Sequence, residues 1–521
     1  MNRILLALLL ILSFFAHSSS AAGRKKPKLL LAVVIDQFRY DYLTRFEDQY
    51  NAGFARMLRQ GAVFTDAHYI HFPTVTAIGH STFMSGATPA LSGIVGNEWY
   101  DREAKRRVTS VSDDSVQLLG GVPGGTGSSP RRLLVSTIPD ELKMSGHASK
   151  VIGVSIKDRS AILPAGHMAD GAYWFDDKSN SWVTSTYYVT DLPGWVKEIN
   201  SSRPASKYVG QEWRPLDAKP GSKPFCTMVN GSDVRFCGGI EATPWGNEMI
   251  ESFAEQAIGA EQLGRHAGTD VLAVSLSSND YVGHAVGPDA PEVRDISIRT
   301  DRLLGKLMDY IDSQVGAGNT LLVLTGDHGV APVPEVNQQR KMPGGRLSAA
   351  LLLDTLNQAL NHAFGEGKWV AGNTGDAIYL NLDLIRSRNL NPSDFERVGA
   401  EALRSLPHIY RVYTGEQLAS GQVQNDAPAR AVSNGYYQQR SGDLLIVPEP
   451  YYMFGAPPGT THGTPFNYDS HVPVIFMGAG VKPGRYYQRI AVNDIAPTLA
   501  AMLDVEEPSG SMGRILSEIF E

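Results

Sequence analysis

Five short, nearly unbroken apolar runs, at residues 29–35, 150–155, 271–276, 320–325 and 472–477, limit what this chain can fold into. Each is rich in Val, Leu and Ile. A strand with no polar alternation is buried on both faces, the condition of a parallel sheet covered by helices. Helical patterns lie between some of the runs. Residues 296–311 carry Ile298, Leu303, Leu304, Leu307, Met308 and Ile311, and residues 247–262 form a second such stretch. Strands alternating with helices predict an α/β fold with a central, mostly parallel sheet sandwiched by helices.

The chain has 521 residues, of which 42% are hydrophobic and 19% charged, so a large core is available and disorder is not expected. One large domain over 28–521 fits, with cap-like insertions at about 165–240 and 335–450. The first insertion is marked by aromatics, glycines and a cysteine pair, the second by its own helix and strand signals. A net charge of −7 and the lack of a Lys/Arg-rich tract exclude a nucleic-acid partner. Residues 1–22 have a positive start, an apolar run from Ile4 to Phe15 and small residues up to Ala22. This is the pattern of a cleaved signal peptide, and the run is short for a membrane span. The mature protein is therefore expected to be soluble, periplasmic or secreted, with no membrane association, and monomeric. The two cysteines, Cys226 and Cys237, are expected to form one disulfide there. Two cysteines do not make a thiolate zinc site, so a metal needs His and carboxylate ligands.

Ligands of open α/β sheets bind beyond the carboxyl ends of the strands. Asp36 follows the first run, Asp280 and His284 follow the third, and Asp327 and His328 follow the fourth. A single strand-end Asp commonly caps a helix. Three such ends together point to a cation, because carboxylate and imidazole are the ligands zinc takes without thiolates, and clustered carboxylates repel. His462 and His471 both lie ahead of or at the last run, and either completes the set. Thr76 precedes an expected helix. Its hydroxyl is either a helix cap or, beside a cation, a nucleophile toward phosphorus. Lys157 and Arg159 both reach one site if their segment is extended, and are otherwise a solvated pair. His80 and His167 read as structural, and Asp41, Asp158 and Asp301 as surface or helix-end charges.

Five segments carry a resemblance: 74–80 (Thr-Val-Thr-Ala-Ile-Gly-His), 96–101 (Gly-Asn-Glu-Trp-Tyr-Asp), 156–159 (Ile-Lys-Asp-Arg), 326–329 (Gly-Asp-His-Gly) and 461–465 (Thr-His-Gly-Thr-Pro). In order and spacing they resemble the alkaline phosphatase superfamily, in its threonine-using, periplasmic PafA/PhoK-like branch, from about Leu29 to Ile515. The resemblance implies two Zn²⁺ ions. Asp36, Asp327 and His328 would hold one, with Thr76 on its open position; Asp280, His284 and His462 would hold the other. His462 is favoured over His471 by the His-Gly-Thr motif. Thr76 would form a phosphothreonine intermediate. Asn97, Lys157 and Arg159 would bind the non-transferred oxygens of a small-molecule phosphate monoester. A phosphodiesterase or nucleotide pyrophosphatase of the same superfamily is the runner-up, with the cationic pair against it. A sulfatase lacks its Cys/Ser motif here, and a cofactor-independent phosphoglycerate mutase conflicts with the signal peptide. An inactive, metal-stabilised binding protein is a further alternative, against which all ligands and Thr76 are present.

Overall fold

The computed structural model describes residues 26–146, 148–229 and 239–521. The expected signal peptide at 1–22 and Cys237 lie outside the described residues, so the disulfide expectation does too. Among the described residues no helix is long and apolar enough to cross a membrane.

The apolar runs form the centre of a 12-stranded sheet. Its principal strands are β1 (Leu29–Ile35), β2 (Ala62–His68), β3 (Val151–Ser155), β4 (Gly171–Asp176), β5 (Ser181–Ser185), β6 (Asp270–Leu276), β7 (Thr320–Gly326) and β8 (His471–Gly478). They lie in the order β2-β8-β7-β1-β6-β3-β4-β5. The block from β7 to β4 is parallel throughout. β8 runs antiparallel to both β7 and β2. Every residue of β1 is 1% exposed or less. Leu29, Leu31, Val33 and Ile35 enter one apolar core, and Leu30, Ala32 and Val34 enter the other. That is why the run shows no polar alternation. Burying each large side chain there contributes about 1.5–3 kcal/mol.

The helices expected at 247–262 and 296–311 extend over Pro244–Ala260 and Pro291–Val315, each opened by a proline in its first turn. They cover one face of the sheet through Ile250, Phe253, Ile296, Leu304 and Leu307. The helix Ile495–Leu503 covers the other. Asp301, read as a surface or helix-end charge, is not at the surface. It is fully buried, and its carboxylate accepts from the backbone N–H groups of Asn51, Ala52 and Phe54. It caps the neighbouring helix Gly53–Gln60 from outside, supplying acceptors for N–H groups that have no partner in their own helix.

An inserted segment beginning near 165 would include two strands of the main sheet, since β4 pairs with β3 and β5 pairs with β4. Within 335–450 lies a separate four-stranded antiparallel sheet of Val370–Asn373, Ala377–Leu380, Leu444–Pro448 and Ile409–Thr414. The helices Ala349–Phe364 and Pro392–Arg404 cover it and give it a core of its own around Leu356, Leu360, Phe395 and Leu444. Arg102 ties it to the main body, donating to Asp443 at 3.0 Å and to the Ser441 carbonyl at 3.0 Å.

Candidate active site: two Asp/His clusters beside a buried threonine

β1 lies between β6 and β7, with Ile35 level with Leu276 on one side and Gly326 on the other. Asp36 and Asp327 therefore emerge side by side from adjacent parallel strands, both fully buried. Asp327 Oδ1 accepts the Gln37 N–H at 2.9 Å, and Asp36 Oδ2 accepts from Lys157 Nζ at 2.6 Å. The other oxygens, Asp36 Oδ1 and Asp327 Oδ2, have no hydrogen-bond donor among the described residues. His328 donates from Nδ1 to the Gly329 carbonyl at 2.9 Å. Its Nε2 faces the orphaned oxygens, 3.5 Å from Asp36 Oδ1 and 3.4 Å from Asp327 Oδ2. Burial, then the neighbouring Asp36, raises the Asp327 carboxyl well above the usual carboxylate range. Burial lowers His328 to about 3, so its ring is neutral. Two orphaned carboxylate oxygens and a neutral imidazole nitrogen converge within 4.8 Å of one another. A divalent cation is the partner such a set lacks, and the donors suit zinc.

The second cluster is built differently. Asp280 and His284 stand one turn apart on the helix Ser278–Val286, on one face. His462 arrives on a loop. His284 Nδ1 donates to the Thr460 carbonyl at 2.8 Å, and His462 Nδ1 to the Thr74 carbonyl at 2.8 Å. Both Nε2 atoms turn to Asp280 Oδ1, at 3.1 and 3.7 Å. A metal-binding imidazole characteristically commits its second nitrogen in this way. Burial opposes charge on Asp280, but His284, Lys157 and His462 hold its carboxyl well below the usual range. Burial pushes His284 down, and the Asp280 carboxylate overrides it, leaving the ring at about 8. The His328 and His462 rings stack at 3.5 Å, so the two clusters are neighbours.

Thr76 is the first residue of the helix Thr76–Ser85, is 1% exposed, and is not its N-cap. Val75 holds the cap position without a side-chain bond. The Thr76 hydroxyl lies 3.5 Å from His328 Nε2, at the first cluster. Asn97 caps the helix from outside: its Oδ1 accepts the Ala77 N–H at 2.8 Å, which places Asn97 next to Thr76. Gly79 lets this helix press on the strand end, since a Cβ there would sit 2.2 Å from the Asp327 carbonyl oxygen. His80 donates to the Thr76 carbonyl at 2.9 Å, meets Ser275 Oγ at 2.8 Å, and has its Nδ1 3.3 Å from Asp327 Oδ2. His167 lies apart, on Asp140 and the Leu133 carbonyl.

The Lys157–Arg159 segment does not meet the condition of an extended chain. Lys157 is the last extended residue, and Asp158 starts a helix to Ala165. Lys157 is buried and its ammonium bridges the clusters, on Asp36 Oδ2 at 2.6 Å and Asp280 Oδ2 at 2.5 Å. Among the described residues Arg159 has a buried Nε with no acceptor, and its one ion pair is a 3.9 Å contact with Asp158.

Sequence reasoning missed Gln37. It is 1% exposed and sits in the left-handed region at φ 58°. Its N–H donates to Asp327 and its side-chain Nε2 donates to Asp280 Oδ1 at 2.7 Å, so one residue grips a carboxylate from each cluster. A non-glycine residue held there costs about 1 kcal/mol, a strain typical of functional sites. Nothing in its type signals this; only its place after Asp36 does. Asp469 was missed as well. It accepts the Thr464 N–H at 2.7 Å and hydroxyl at 2.6 Å, and so fixes the loop that carries His462. Beside Thr76 a cavity of about 210 Å³ lies between Phe72, Val75 and Asn97 and the residues Ala377, Tyr379 and Leu445 of the four-stranded sheet.

The sequence model of the type I phosphodiesterase / nucleotide pyrophosphatase family matches residues 30–471. Alkaline phosphatase PhoV of Synechococcus elongatus is 38% identical, over 94% of this chain and 92% of that protein. Alkaline phosphatase PafA of Elizabethkingia meningoseptica is 35% identical over 94% of each. A crystal structure of PafA superposes with a TM-score of 0.88, covering 95% of this chain and 99% of that one. Murine ectonucleotide pyrophosphatase / phosphodiesterase 5 shares the fold at 15% identity and a TM-score of 0.56, covering 95% of this chain and all of that one, 100%. The chain belongs to the type I phosphodiesterase / nucleotide pyrophosphatase family, within the alkaline phosphatase superfamily.

Proposed function

We infer that this chain is an alkaline phosphatase that hydrolyses small-molecule phosphate monoesters with Thr76 as nucleophile. One observation carries the reading: two Asp/His clusters lie side by side, and Thr76 stands at the mouth of one of them. The near full-length similarity to PhoV and PafA, both alkaline phosphatases, supports it. The orphaned oxygens of Asp36 and Asp327 and the three committed imidazoles support a cation at each cluster. Asp36, Asp327 and His328 would hold one zinc, with Thr76 on its open position, and Asp280, His284 and His462 the other. When bound, the two ions would favour the ionised Thr76 hydroxyl and neutralise charge on the departing alcohol oxygen.

Thr76 Oγ1 attacks phosphorus, its bond to phosphorus forms, and the bond to the alcohol oxygen breaks. The alcohol leaves with a proton. Water then attacks the phosphothreonine, the bond to Oγ1 breaks, and inorganic phosphate leaves. Asn97, anchored through its carbonyl, keeps its amide NH₂ as a donor toward the phosphate oxygens. Arg159, with an unsatisfied buried Nε, and Lys157 supply the positive charge that a dianionic monoester demands and a monoanionic diester does not. The four-stranded cap closes the cavity beside Thr76 and would enclose the substrate. The signal pattern at 1–22 supports export to the periplasm or beyond, with Cys226 and Cys237 bonded, as a monomer.

The rates on p-nitrophenyl phosphate and bis-p-nitrophenyl phosphate test the reading. The monoester should be hydrolysed much faster. The reverse preference would turn the assignment to a phosphodiesterase, and no hydrolysis of either by zinc-loaded protein would favour a binding protein.

A further inference from the structure

Asn97 opens a hairpin made of Glu98–Asp101 and Arg106–Thr109. Among the described residues its two strands pair with each other and with no further strand. A lone two-stranded hairpin is marginally stable in water, so side chains on its faces must hold it. The pleat sends alternate residues to opposite faces. Trp99 and its cross-strand partner Val108 enter the apolar core that also holds Ala77 and Ile78 of the helix begun by Thr76. Tyr100 and its partner Arg107 meet the four-stranded sheet. The Tyr100 ring lies on Gly372, where a Cβ would come within 2.9 Å of it, and Arg107 donates to the Asn373 carbonyl at 2.6 Å.

The two ends of the hairpin are tied to different bodies. At its base the Asn97 carbonyl accepts the Ser110 N–H at 2.9 Å, and the Asn97 side chain accepts the Ala77 N–H beside Thr76. At its turn Arg102 donates to Asp443 Oδ1 at 3.0 Å, to Asp443 Oδ2 at 3.3 Å and to the Ser441 carbonyl at 3.0 Å. Its guanidinium also lies 5.3 Å from the centre of the Tyr379 ring, which lines the cavity beside Asn97. Asp443 is fixed in turn, since its Oδ2 accepts the Leu380 N–H at 2.6 Å. Lys105 and Asp383 meet at 2.6 Å near the same turn, but their side chains are 67% and 69% exposed, so that pair contributes little. The two-pronged Arg102–Asp443 pair, largely shielded from solvent, is the contact there that fixes direction as well as distance.

We propose that the four-stranded sheet positions Asn97 for phosphate through this hairpin, with Arg102 as the positioning residue. The proposal rests on the reading of Asn97 as a phosphate ligand. The hairpin is a strut between the sheet and the helix of Thr76. Without the Arg102–Asp443 pair, Trp99 and Val108 still hold the strut in the core, but its angle is no longer fixed from the sheet. The Asn97 amide then meets the phosphate oxygens with poorer alignment.

Inorganic phosphate, used as a competitive inhibitor of p-nitrophenyl phosphate hydrolysis by the zinc-loaded protein, reads this contact. Arg102→Ala should raise its inhibition constant about tenfold. Asp443→Asn keeps an acceptor for the Leu380 N–H, guards against misfolding, and should give the same rise. In an Asn97→Ala background, itself weaker for phosphate, either change should add less than about twofold, because the two positions act through one contact. A rise as large in that background as in the parent would make the pair a support of the fold at large and overturn the proposal. An unchanged constant in both Arg102→Ala and Asp443→Asn would overturn it as well. Phosphate bound as tightly by Asn97→Ala alone as by the parent would instead strike the reading of Asn97, and the proposal with it.

Discussion

The two clusters beside Thr76 contain similar ligands but are assembled by different means. The Asp36–Asp327–His328 cluster comes from two adjacent parallel strands in register and is fully buried. The Asp280–His284–His462 cluster joins one helical turn to a loop, and the His284 side chain is 36% exposed. The sheet itself positions the first cluster. The second depends on supports: Gln37 on Asp280, Thr460 on His284, and Asp469 on the loop of His462. The fully buried cluster lies against Thr76, and in the proposed reaction the more accessible one would face the departing alcohol. In that proposed reaction the covalent step would fall at the sheet-built cluster, and release at the one open to solvent.

The largest effect should come from the first cluster. Thr76→Ala should lower kcat on p-nitrophenyl phosphate by roughly 10⁴-fold or more while both zincs stay bound. Full activity in that variant would separate the first cluster from the chemistry. Next, Lys157→Ala combined with Arg159→Ala should cost the monoester reaction about 10²–10³-fold and the diester reaction far less. Equal losses on both substrates would make the pair part of the fold, as the Lys157 bridge between Asp36 and Asp280 alone could explain.

Gln37→Leu sharpens the comparison. It removes the side-chain bond to Asp280 but keeps the backbone bond to Asp327. Zinc affinity of the second cluster should fall about 10- to 100-fold, with the first nearly unchanged, in a competitive chelator titration. Equal weakening of both would show that Gln37 supports the fold rather than one ligand. The smallest effect, taken per unit of change, is that of pH. In the metal-free protein Asp280 holds His284 at about 8 against burial, so zinc must displace a proton there below that pH. Affinity of the second cluster should therefore fall about tenfold for each pH unit below 8. Release from both clusters that is independent of pH between about 6 and 8 would contradict this.

The first cluster was legible in the sequence because its ligands directly follow two apolar runs, and strand ends in register meet in space. Asp280 and His284 were legible from their spacing of one helical turn. His462 required the resemblance, since its loop joins the site only through tertiary contacts with Thr74 and Asp469. The antiparallel direction of β8 was not legible, because a strand buried on both faces reads the same either way. The helix beginning at Asp158 was also missed: with only eight residues, it shows little periodicity. Which helix end Asp301 serves was not legible, because capping a different helix leaves no local signature. Gln37 acts through a backbone conformation that no pattern of residue types reveals.

The most direct test of the central claim is to quench zinc-loaded enzyme with acid during turnover of a phosphate monoester and map its peptides by mass spectrometry. Phosphate should be found on Thr76 and be absent from the Thr76→Ala variant. Rapid turnover with no phosphorylated peptide, or with phosphate on another residue, would contradict the account.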